Sequence, residues 1–419
     1  MSPTFLALRV RNFRLFVAGQ LVSNAGTWMQ RVAQDWLVLQ LTGGSGTALG
    51  VVTGLQFLPM LLFTLWGGVL ADRFPKRRLL VLSQAAMGVQ ALLLGLLVIS
   101  GLAEVWHVYL LAFLLGTAAA LDTPVRQSFV VEMVGTDDLP NAVALNSATF
   151  NLGRMVGPAL AGLLIAAVGT GPIFLVNAAS FAAVIGCLLL MRPAELRPAA
   201  RAARGRGALR AGVAYVRRHR ELTLVMVVVF VVGTIGFNFQ VTMALMGTAV
   251  FGVDAREFGL LGTAFAAGAL AGALLAARRS GRTGRRPGLR LVLALAVAFG
   301  ALEAVAGLAP SYAAFVVLLV PTGLLAIWFA TSANAYLQLG ADPGVRGRVM
   351  AIYTLVFFGG TPFGSPVIGW LGETVGPRWT LVGSGAAVVV LVTLAVLVLG
   401  RDLPRVPGEP SGVRQAVTA

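Results

Sequence analysis

The sequence predicts an all-α membrane protein with twelve transmembrane helices in two six-helix bundles. Of its 419 residues, 58% are hydrophobic and only 11% are charged, which leaves too little polar surface to cover a soluble core of this size. Apolar runs of about 20 residues, long enough to cross a hydrocarbon layer about 30 Å thick, recur along nearly the whole chain. Landmarks in the first half also reappear in the second half at a constant spacing.

Glycine, proline or charged residues separate the predicted spans. Gly43 and Gly44 follow the first span, and a basic run from Arg73 to Arg78 follows the second. The twelve spans are predicted at residues 13–41, 46–71, 77–100, 105–124, 140–168, 171–191, 222–250, 256–278, 288–308, 311–338, 345–373 and 377–400.

The amino-terminal segment has one feature of a secretory signal, because Arg9, Arg11 and Arg14 precede an apolar stretch. That stretch contains Arg31 and Asp35 and lacks a small-residue cleavage site. We therefore interpret it as the first membrane helix and expect no cleaved signal peptide.

Basic residues are concentrated in alternate loops, and the formal net charge is +16. The longest gap carries nine arginines between Arg192 and Arg220, with one helix expected near residues 209–220. Because basic loops resist translocation, we expect both termini and this gap to be cytoplasmic in a cell-membrane protein that binds no nucleic acid. The predicted division is a bundle at 1–191, a basic linker at 192–221, a bundle at 222–400 and a tail at 401–419.

The two halves share landmarks at an offset of 205 residues. A constant offset across several loops indicates duplication of a six-helix unit, a pattern that places a binding site between two bundles. The matched positions are Gly54 with Gly259, Arg73 with Arg278, Gly95 with Gly300, Asp137 with Asp342, and Gly171-Pro172 with Gly376-Pro377.

The loop between the second and third spans carries the most specific motif, Gly68-Val-Leu-Ala-Asp72-Arg73-Phe-Pro-Lys-Arg77-Arg78. It resembles the signature loop of the major facilitator superfamily, although proline replaces the usual glycine and lysine replaces an arginine. A carboxylate at a helix start is favoured by the helix dipole. We therefore interpret this loop as a gate latch, a contact that holds one end of the transporter closed. The alternative is an ordinary basic loop without such a role.

Two further runs resemble the exporter branch that includes enterobactin exporters and macrolide-efflux proteins. The first begins Asp122-Thr-Pro-Val-Arg126, and the second begins Arg346-Gly-Arg348. The resemblance implies the major facilitator fold, gate roles for these residues, and secondary export of a small amphipathic compound. An importer, a lipid flippase and a non-transporting membrane sensor or scaffold remain alternatives.

Glycine and proline in the fifth and eleventh spans predict mechanical roles. Gly153 and Gly157 leave a smooth face for close helix contact, and Pro158 permits a bend because it lacks a backbone donor. Pro362 follows a glycine pair in the eleventh span. Ordinary helix packing is the alternative reading for each glycine.

Ionisable residues inside spans are functional candidates, because a charge in lipid is costly. Arg31 and Asp35 share one face of the first span, and Arg154 lies in the fifth. Three alternatives remain open for Asp35: a proton-coupling acid that responds to Arg31 or Arg154, a permanent structural pair, and direct substrate contact. Glu303 is a second proton candidate, with a solvated position expected near the end of its span.

The resemblance implies that the first, fourth, seventh and tenth spans line a central cavity. A mostly apolar lining with a few polar groups suits an amphipathic ligand, and packing is the alternative for each residue. The cavity candidates are Gln30, Gln34, Thr117, Asn238, Gln240, Trp328 and Asn334.

Enzyme and metal chemistry are not expected. The sequence has no catalytic serine elbow, metal-binding helix motif or phosphate-binding loop. The single Cys187 and the two histidines offer no metal cluster. We expect no cofactor. We expect an ion gradient to supply the energy, with protons as the favoured ion. The expected partners are a small-molecule substrate, protons and the lipid bilayer, with the chain as a monomer.

Overall fold

The computed structural model describes residues 3–135, 137–197, 208–283, 287–342 and 345–399, so the predicted tail and part of the linker lie outside the described residues. Helices dominate these ranges, and no strand occurs in them. The α-helices are α1 (Arg11–Leu41), α2 (Gly46–Arg73), α3 (Lys76–Ile99), α4 (Val105–Val134), α5 (Leu139–Val168), α6 (Gly171–Leu189), α7 (Ala208–Arg218), α8 (Arg220–Thr234), α9 (Phe239–Leu245), α10 (Ala255–Thr283), α11 (Leu289–Gly307), α12 (Tyr312–Gly340), α13 (Arg346–Gly359), α14 (Thr361–Thr374) and α15 (Pro377–Leu399).

The all-α membrane class is confirmed. Eleven helical segments of the described chain are long and apolar enough to cross a membrane. The 31-residue helix α1 is not among them, because its many polar residues lower its mean hydropathy. Most of these polar residues are buried against other helices, so α1 lies inside the helix assembly at the position of the first predicted span.

The helices pack in two groups, α1–α6 and α7–α15. In the first group α1 packs on α5, α2 on α4 and α3 on α6; in the second, α10 packs on α12, α11 on α15 and α8 on α13. The groups meet mainly where α2 contacts α14 and where α5 contacts α10. Helix α7 of the basic linker lies against α13, with Gly212 close to Arg348 and Ile352.

The two ends of the assembly differ in charge. We call the end that holds the α2–α3 loop, residues 190–197 and 208–219, the carboxyl end of α10 and the start of α11 the basic end. The opposite end holds the loops at residues 42–45, 100–104, 169–170, 251–254, 308–311 and 375–376. The two groups meet between this opposite end and the middle of the helices.

Glycines allow the two groups to touch backbone to backbone near the opposite end. A Cβ atom on Gly50 would lie 2.2 Å from the Ser365 carbonyl oxygen, and one on Gly369 would lie 2.1 Å from the Gly46 carbonyl oxygen. Any larger side chain would force α2 and α14 apart, because real Cβ atoms essentially never approach another atom to less than 3.0 Å.

The second contact between the groups repeats the first. Gly54 of α2 lies against Pro362 of α14, and Gly259 of α10 lies against Pro158 of α5. Gly54 and Gly259 are the pair that the offset of 205 residues relates. The duplication predicted from the sequence therefore appears as two equivalent contacts.

Two predicted spans are interrupted in the second group. The seventh consists of α8, a short 3₁₀ turn at Gly236–Asn238, α9 and a π-helical turn at Met246–Val250, and the eleventh is divided between Gly359 and Thr361. The interruptions lie against each other, because a Cβ atom on Gly360 would lie 1.8 Å from Oγ1 of Thr234 at the end of α8. Irregular backbone inside a membrane is tolerated only when it is covered by protein or lines a cavity.

Candidate functional site

Asp35 of α1 connects the two helix groups. The side chain is 7% exposed, and its Oδ2 accepts a 3.0 Å hydrogen bond from Nε2 of Gln240 in α9. A permanent ion pair with Arg31 or Arg154, one of the three alternatives for Asp35, is not formed in the described residues, since neither guanidinium lies within 4.0 Å of the carboxylate. The carboxylate instead accepts from a side-chain amide of the second group.

The offset of 205 residues also relates Asp35 to Gln240. Two residues in equivalent positions of a duplicated unit can touch each other only where they lie near the axis that relates the halves. The sequence therefore contained a signal for this contact, because both residues were candidates and their separation equals the repeat offset.

Arg31 and Arg154 share the ring of Trp28. The guanidinium carbon of Arg31 lies 4.8 Å from the centre of this ring and 5.9 Å from that of Phe57 in α2. The guanidinium carbon of Arg154 lies 5.5 Å from Trp28 and 5.6 Å from Phe265 in α10. Both arginines are half-buried, and their aromatic neighbours come from both groups.

Glu303 of α11 is fully buried, in contrast to the solvated position expected from its place near the end of a span. Its exposed fraction is 0%, and neither carboxyl oxygen has a hydrogen-bond partner among the described residues. The side chain lies beside Gly236 in the interrupted seventh span. Helix packing over the end of α11 excludes the water that the sequence position suggested.

The opposite end is held by a carboxylate that the sequence reading missed. Oε2 of Glu373 in α14 accepts hydrogen bonds from Ser45 Oγ (3.1 Å), from the Thr47 backbone nitrogen (3.0 Å) and from Thr47 Oγ1 (2.6 Å). It thereby caps the first turn of α2, where the helix dipole favours an anion. Trp36 and Phe258 pack edge to face at 5.2 Å in the same region.

We expect Glu373→Gln to open the opposite end. The amide loses the charge that strengthens hydrogen bonds to the α2 terminus, so the closed arrangement loses population by about threefold to tenfold. Spin labels at Thr42 and Val375 measure the separation of the two helix ends. Glu257→Gln is the matched control, because Glu257 caps only α10 within its own group. An unchanged distance distribution in Glu373→Gln would show that Glu373 does not hold the opposite end closed.

The cavity expectation for Gln30 needs correction. Gln30 is 1% exposed, donates to Gln90 at 3.0 Å and accepts from Asn177 at 2.6 Å, so its polar atoms bind α3 and α6 inside the first group. Gln34 is completely buried, and its amide atoms lack partners among the described residues. Gln240 meets the first group through Asp35.

The other cavity candidates occupy mixed positions. Thr117 donates to the Phe113 carbonyl oxygen at 2.9 Å, as threonine commonly does in a helix. Asn238 is 2% exposed and donates to the Thr234 carbonyl oxygen in the interrupted span. Trp328 and Asn334 of α12 are half-buried, and the Trp328 indole nitrogen has no partner among the described residues.

Asp122 and Arg126 form the centre of a polar network inside the first group. Asp122 is 2% exposed, and its carboxylate lies 3.3 Å from Arg126 Nε. It also accepts from Ser83 at 2.7 Å and from Gln84 at 3.0 Å, while Arg126 donates to Gln20 at 3.0 Å. The network links α1, α3 and α4.

The α2–α3 loop makes contacts within the first group. Lys76 pairs with Glu132 of α4, and Arg77 donates to the Leu188 and Leu189 carbonyl oxygens at 2.7 and 2.8 Å. Arg73 and Arg78 are exposed. Gly68 and Asp72 fall within α2, but the side chain of Asp72 lies outside the described part of the chain, so its latch role stays a prediction.

The second-group gate candidates lie at the start of α13. The Arg346 and Arg348 side chains are half-buried, and Arg346 Nε has no partner among the described residues. Arg348 contacts Gly212 of the linker helix α7. The start of α13, which carries the second-group gate candidates, therefore packs against the linker helix.

The glycines of α5 divide between two contacts. Cβ atoms on Gly153 and Gly157 would lie 2.7 Å from Asn24 Cβ and 2.5 Å from Trp28 Cβ, so both glycines bring α5 close to α1. Pro158 faces α10 of the other group, and α5 continues without interruption through it. Pro362 begins α14 just after the break in the eleventh span.

No cluster of three or more potential metal ligands occurs among the described residues. The polar groups that lie between the two helix groups include the Asp35 carboxylate, the Gln240 amide and the guanidinium groups of Arg31 and Arg154. Such a site can bind a ligand by charge, hydrogen bonds and aromatic contact.

The family model described as transmembrane secretion effector matches residues 2–409. Among curated proteins, the multidrug efflux pump Tap of Mycolicibacterium fortuitum is 26% identical over 91% of this chain and 94% of its own length. The enterobactin exporter EntS of Shigella flexneri is 25% identical over 84% and 82%. The staphyloferrin A transporter of Staphylococcus aureus is 26% identical over 61% of this chain, and the match spans 64% of that protein.

Solved structures show the same fold. A bacterial homologue of the human lysosomal transporter Spinster superposes with a TM-score of 0.72 over 96% of this chain and 98% of its own, at 15% identity. The family and these relatives are transporters and not enzymes. Because the family model spans almost the entire chain, the protein belongs to the transmembrane secretion effector family of the major facilitator superfamily.

Proposed function

We propose that this transporter exports a small amphipathic compound across the cell membrane by alternating access, driven by protons. The observation that carries the proposal is the hydrogen bond between Asp35 and Gln240, which joins the two helix groups on the side of the opposite end. A carboxylate in this position changes its surroundings whenever the groups separate.

The proposed cycle uses the contacts near the opposite end as the outer gate. In the described arrangement Glu373 and the glycine contacts close this end, so the substrate enters from the basic end. When the groups rock, Asp35 loses Gln240 and meets outside water. A protonated carboxyl group is cheaper to bury again than a carboxylate, so protonation outside favours closure, and the proton leaves inside.

A proton can drive this cycle only if it binds the two facing states unequally. Asp35 fulfils that condition in the proposal, because its partner across the groups exists in only one state. Glu303, which is fully buried without a partner among the described residues, is the alternative proton site.

The basic end is proposed to be cytoplasmic, together with both termini and the 192–221 linker. The proposed domains are a bundle at 1–191, a bundle at 222–400 and a tail at 401–419. The arginine-rich loops support this orientation. In a Cys187→Ala background, single cysteines in the linker or termini should resist a membrane-impermeant thiol reagent in intact cells. Leu102→Cys, whose position is 66% exposed at the opposite end, should react; strong labelling of the linker would overturn the orientation.

Export as the direction is supported by the relatives, which include a multidrug efflux pump and an enterobactin exporter. The direct test uses the purified monomer in liposomes with an imposed pH gradient and a panel of siderophores, macrolides, tetracyclines and dyes. Gradient-dependent movement of one of these compounds against the proton flow supports export. Movement with the proton flow would identify an importer, and lipid movement alone would identify a flippase.

A further inference from the structure

We infer that the transported compound is an amphipathic anion, whose acidic group binds between Arg31 and Arg154 while its apolar part contacts Trp28 and the adjoining phenylalanines. This inference names the substrate class and rests on the proposed transport function.

The first argument is the charge of the site. Two guanidinium groups share the Trp28 ring, and neither has a carboxylate within 4.0 Å among the described residues. Charged groups inside a membrane protein are normally paired with each other or with backbone carbonyls. The face of an aromatic ring attracts a cation more weakly than a carboxylate does, so the site keeps a net positive charge that an anionic ligand would neutralise.

The second argument is the position of the site between the groups. Phe57 belongs to α2 and Phe265 to α10, and Phe57 stacks on Phe358 of α13 at 6.1 Å with an angle of 8°. The arginines therefore lie where the two helix groups face each other, at the level where the contacts of the opposite end finish. In the proposed cycle, the arginines lie at the closed inner end of the space that opens toward the basic end.

The third argument is the chemistry of the walls. Trp28 also meets Phe150 edge to face at 6.0 Å, so guanidinium groups alternate with aromatic rings. Arginine presents several donors in a planar fork that matches a carboxylate, sulfonate or phosphate, and aromatic rings bind apolar surface. An anion with an aromatic or aliphatic body satisfies both parts of the site.

Asp35 limits the net charge near the site. It is bound to Gln240 and not to either arginine, yet it lies one helical turn from Arg31 on the same helix. Removing its charge raises the positive potential at the arginines. Asp35→Asn should therefore bind the anion more tightly even though it loses proton-driven transport.

The test compares probes that share a naphthyl body and differ in the charge of the attached group. The full-length protein in lipid nanodiscs is titrated calorimetrically with 2-naphthylacetate, the neutral 2-naphthylacetamide and the cationic 2-naphthylethylammonium, against empty nanodiscs. We expect the acid to bind at least about tenfold more tightly than the amide. Arg31→Gln and Arg154→Gln should each weaken acid binding about tenfold to a hundredfold and amide binding less than about twofold.

Controls separate binding from folding. Arg256→Gln, at an exposed arginine of the opposite end, should leave all three affinities unchanged, and the lysine variants of Arg31 and Arg154 should retain a preference for the acid. Thermal unfolding identifies any variant that fails to fold, and the wild-type preference is informative without variants. Equal losses for acid and amide in folded variants, or a wild-type preference for the amide or the ammonium probe, would overturn the inference.

Failure of the proposed export function can be distinguished from failure of the anion site, because the binding titrations need no proton gradient. Selective acid binding without export of any compound would reject export and leave the anion site standing. Gradient-driven export of cationic dyes, with no preference for acids, would support export and reject the anion site.

Discussion

Asp35→Asn is expected to abolish proton-driven accumulation of substrate while leaving exchange of substrate across the membrane. The asparagine keeps an oxygen that can accept from Gln240, so the two helix groups can still meet. It cannot bind and release a proton, so the two facing states no longer differ in proton affinity. Gradient-dependent accumulation should fall at least about a hundredfold, as expected when an obligatory group is lost, and exchange should fall less than about threefold.

Both fluxes are measured on the same purified protein in liposomes. Asp254→Asn is the matched control, because Asp254 caps α10 at the opposite end and asparagine is an equally good cap. A structural role for Asp35 would instead lower folded yield and both fluxes together. Accumulation that persists in Asp35→Asn would exclude this residue as the proton site and make Glu303 the next acid to replace.

Gly50→Val is expected to slow transport by disfavouring closure of the opposite end. A Cβ atom at this position would lie 2.2 Å from the Ser365 carbonyl oxygen, and backbone cannot move aside as a flexible side chain can. Because the clash exists only when α2 and α14 meet, the open state is unaffected. An overpacking cost of about 1–3 kcal/mol shifts the balance of states about fivefold to 160-fold, and transport should fall accordingly.

Spin-label distances across the opposite end, together with exchange flux, test this expectation. Gly383→Val is the neutral control, because nothing lies within 4 Å of a Cβ atom on Gly383 in α15. Gly268→Val is the second control: a Cβ atom there would lie 1.7 Å from the Val320 carbonyl oxygen within the second group, so folded yield should fall. If Gly50→Val transports like the native protein, α2 and α14 do not close during the cycle.

Hydropathy and repeat spacing determined much about this protein, whereas the orientation expected from loop charge stays a prediction. Apolar length predicts spans because transfer into lipid is a local and nearly additive property. The predicted spans correspond to the described helices apart from the interruptions near Gly236 and Gly360 and the end of the fourth span, which was predicted at residue 124 whereas α4 continues to Val134. The motif from Gly68 to Arg78 and the run beginning at Asp122 were specific enough to indicate the family. The offset of 205 residues correctly paired Gly54 with Gly259.

Only the tertiary structure decided which polar side chains serve packing and which face the other helix group. Gln30 and Gln34 look alike in the sequence, yet Gln30 binds two neighbours inside the first group whereas Gln34 has no partner among the described residues. Arg31 and Asp35 lie one turn apart but are not paired. These outcomes depend on the rotation of each helix and on contacts between distant segments, and hydropathy carries no information about either. Burial of Glu303 and capping of α2 by Glu373 have the same origin, because both arise where helices distant in sequence pack together.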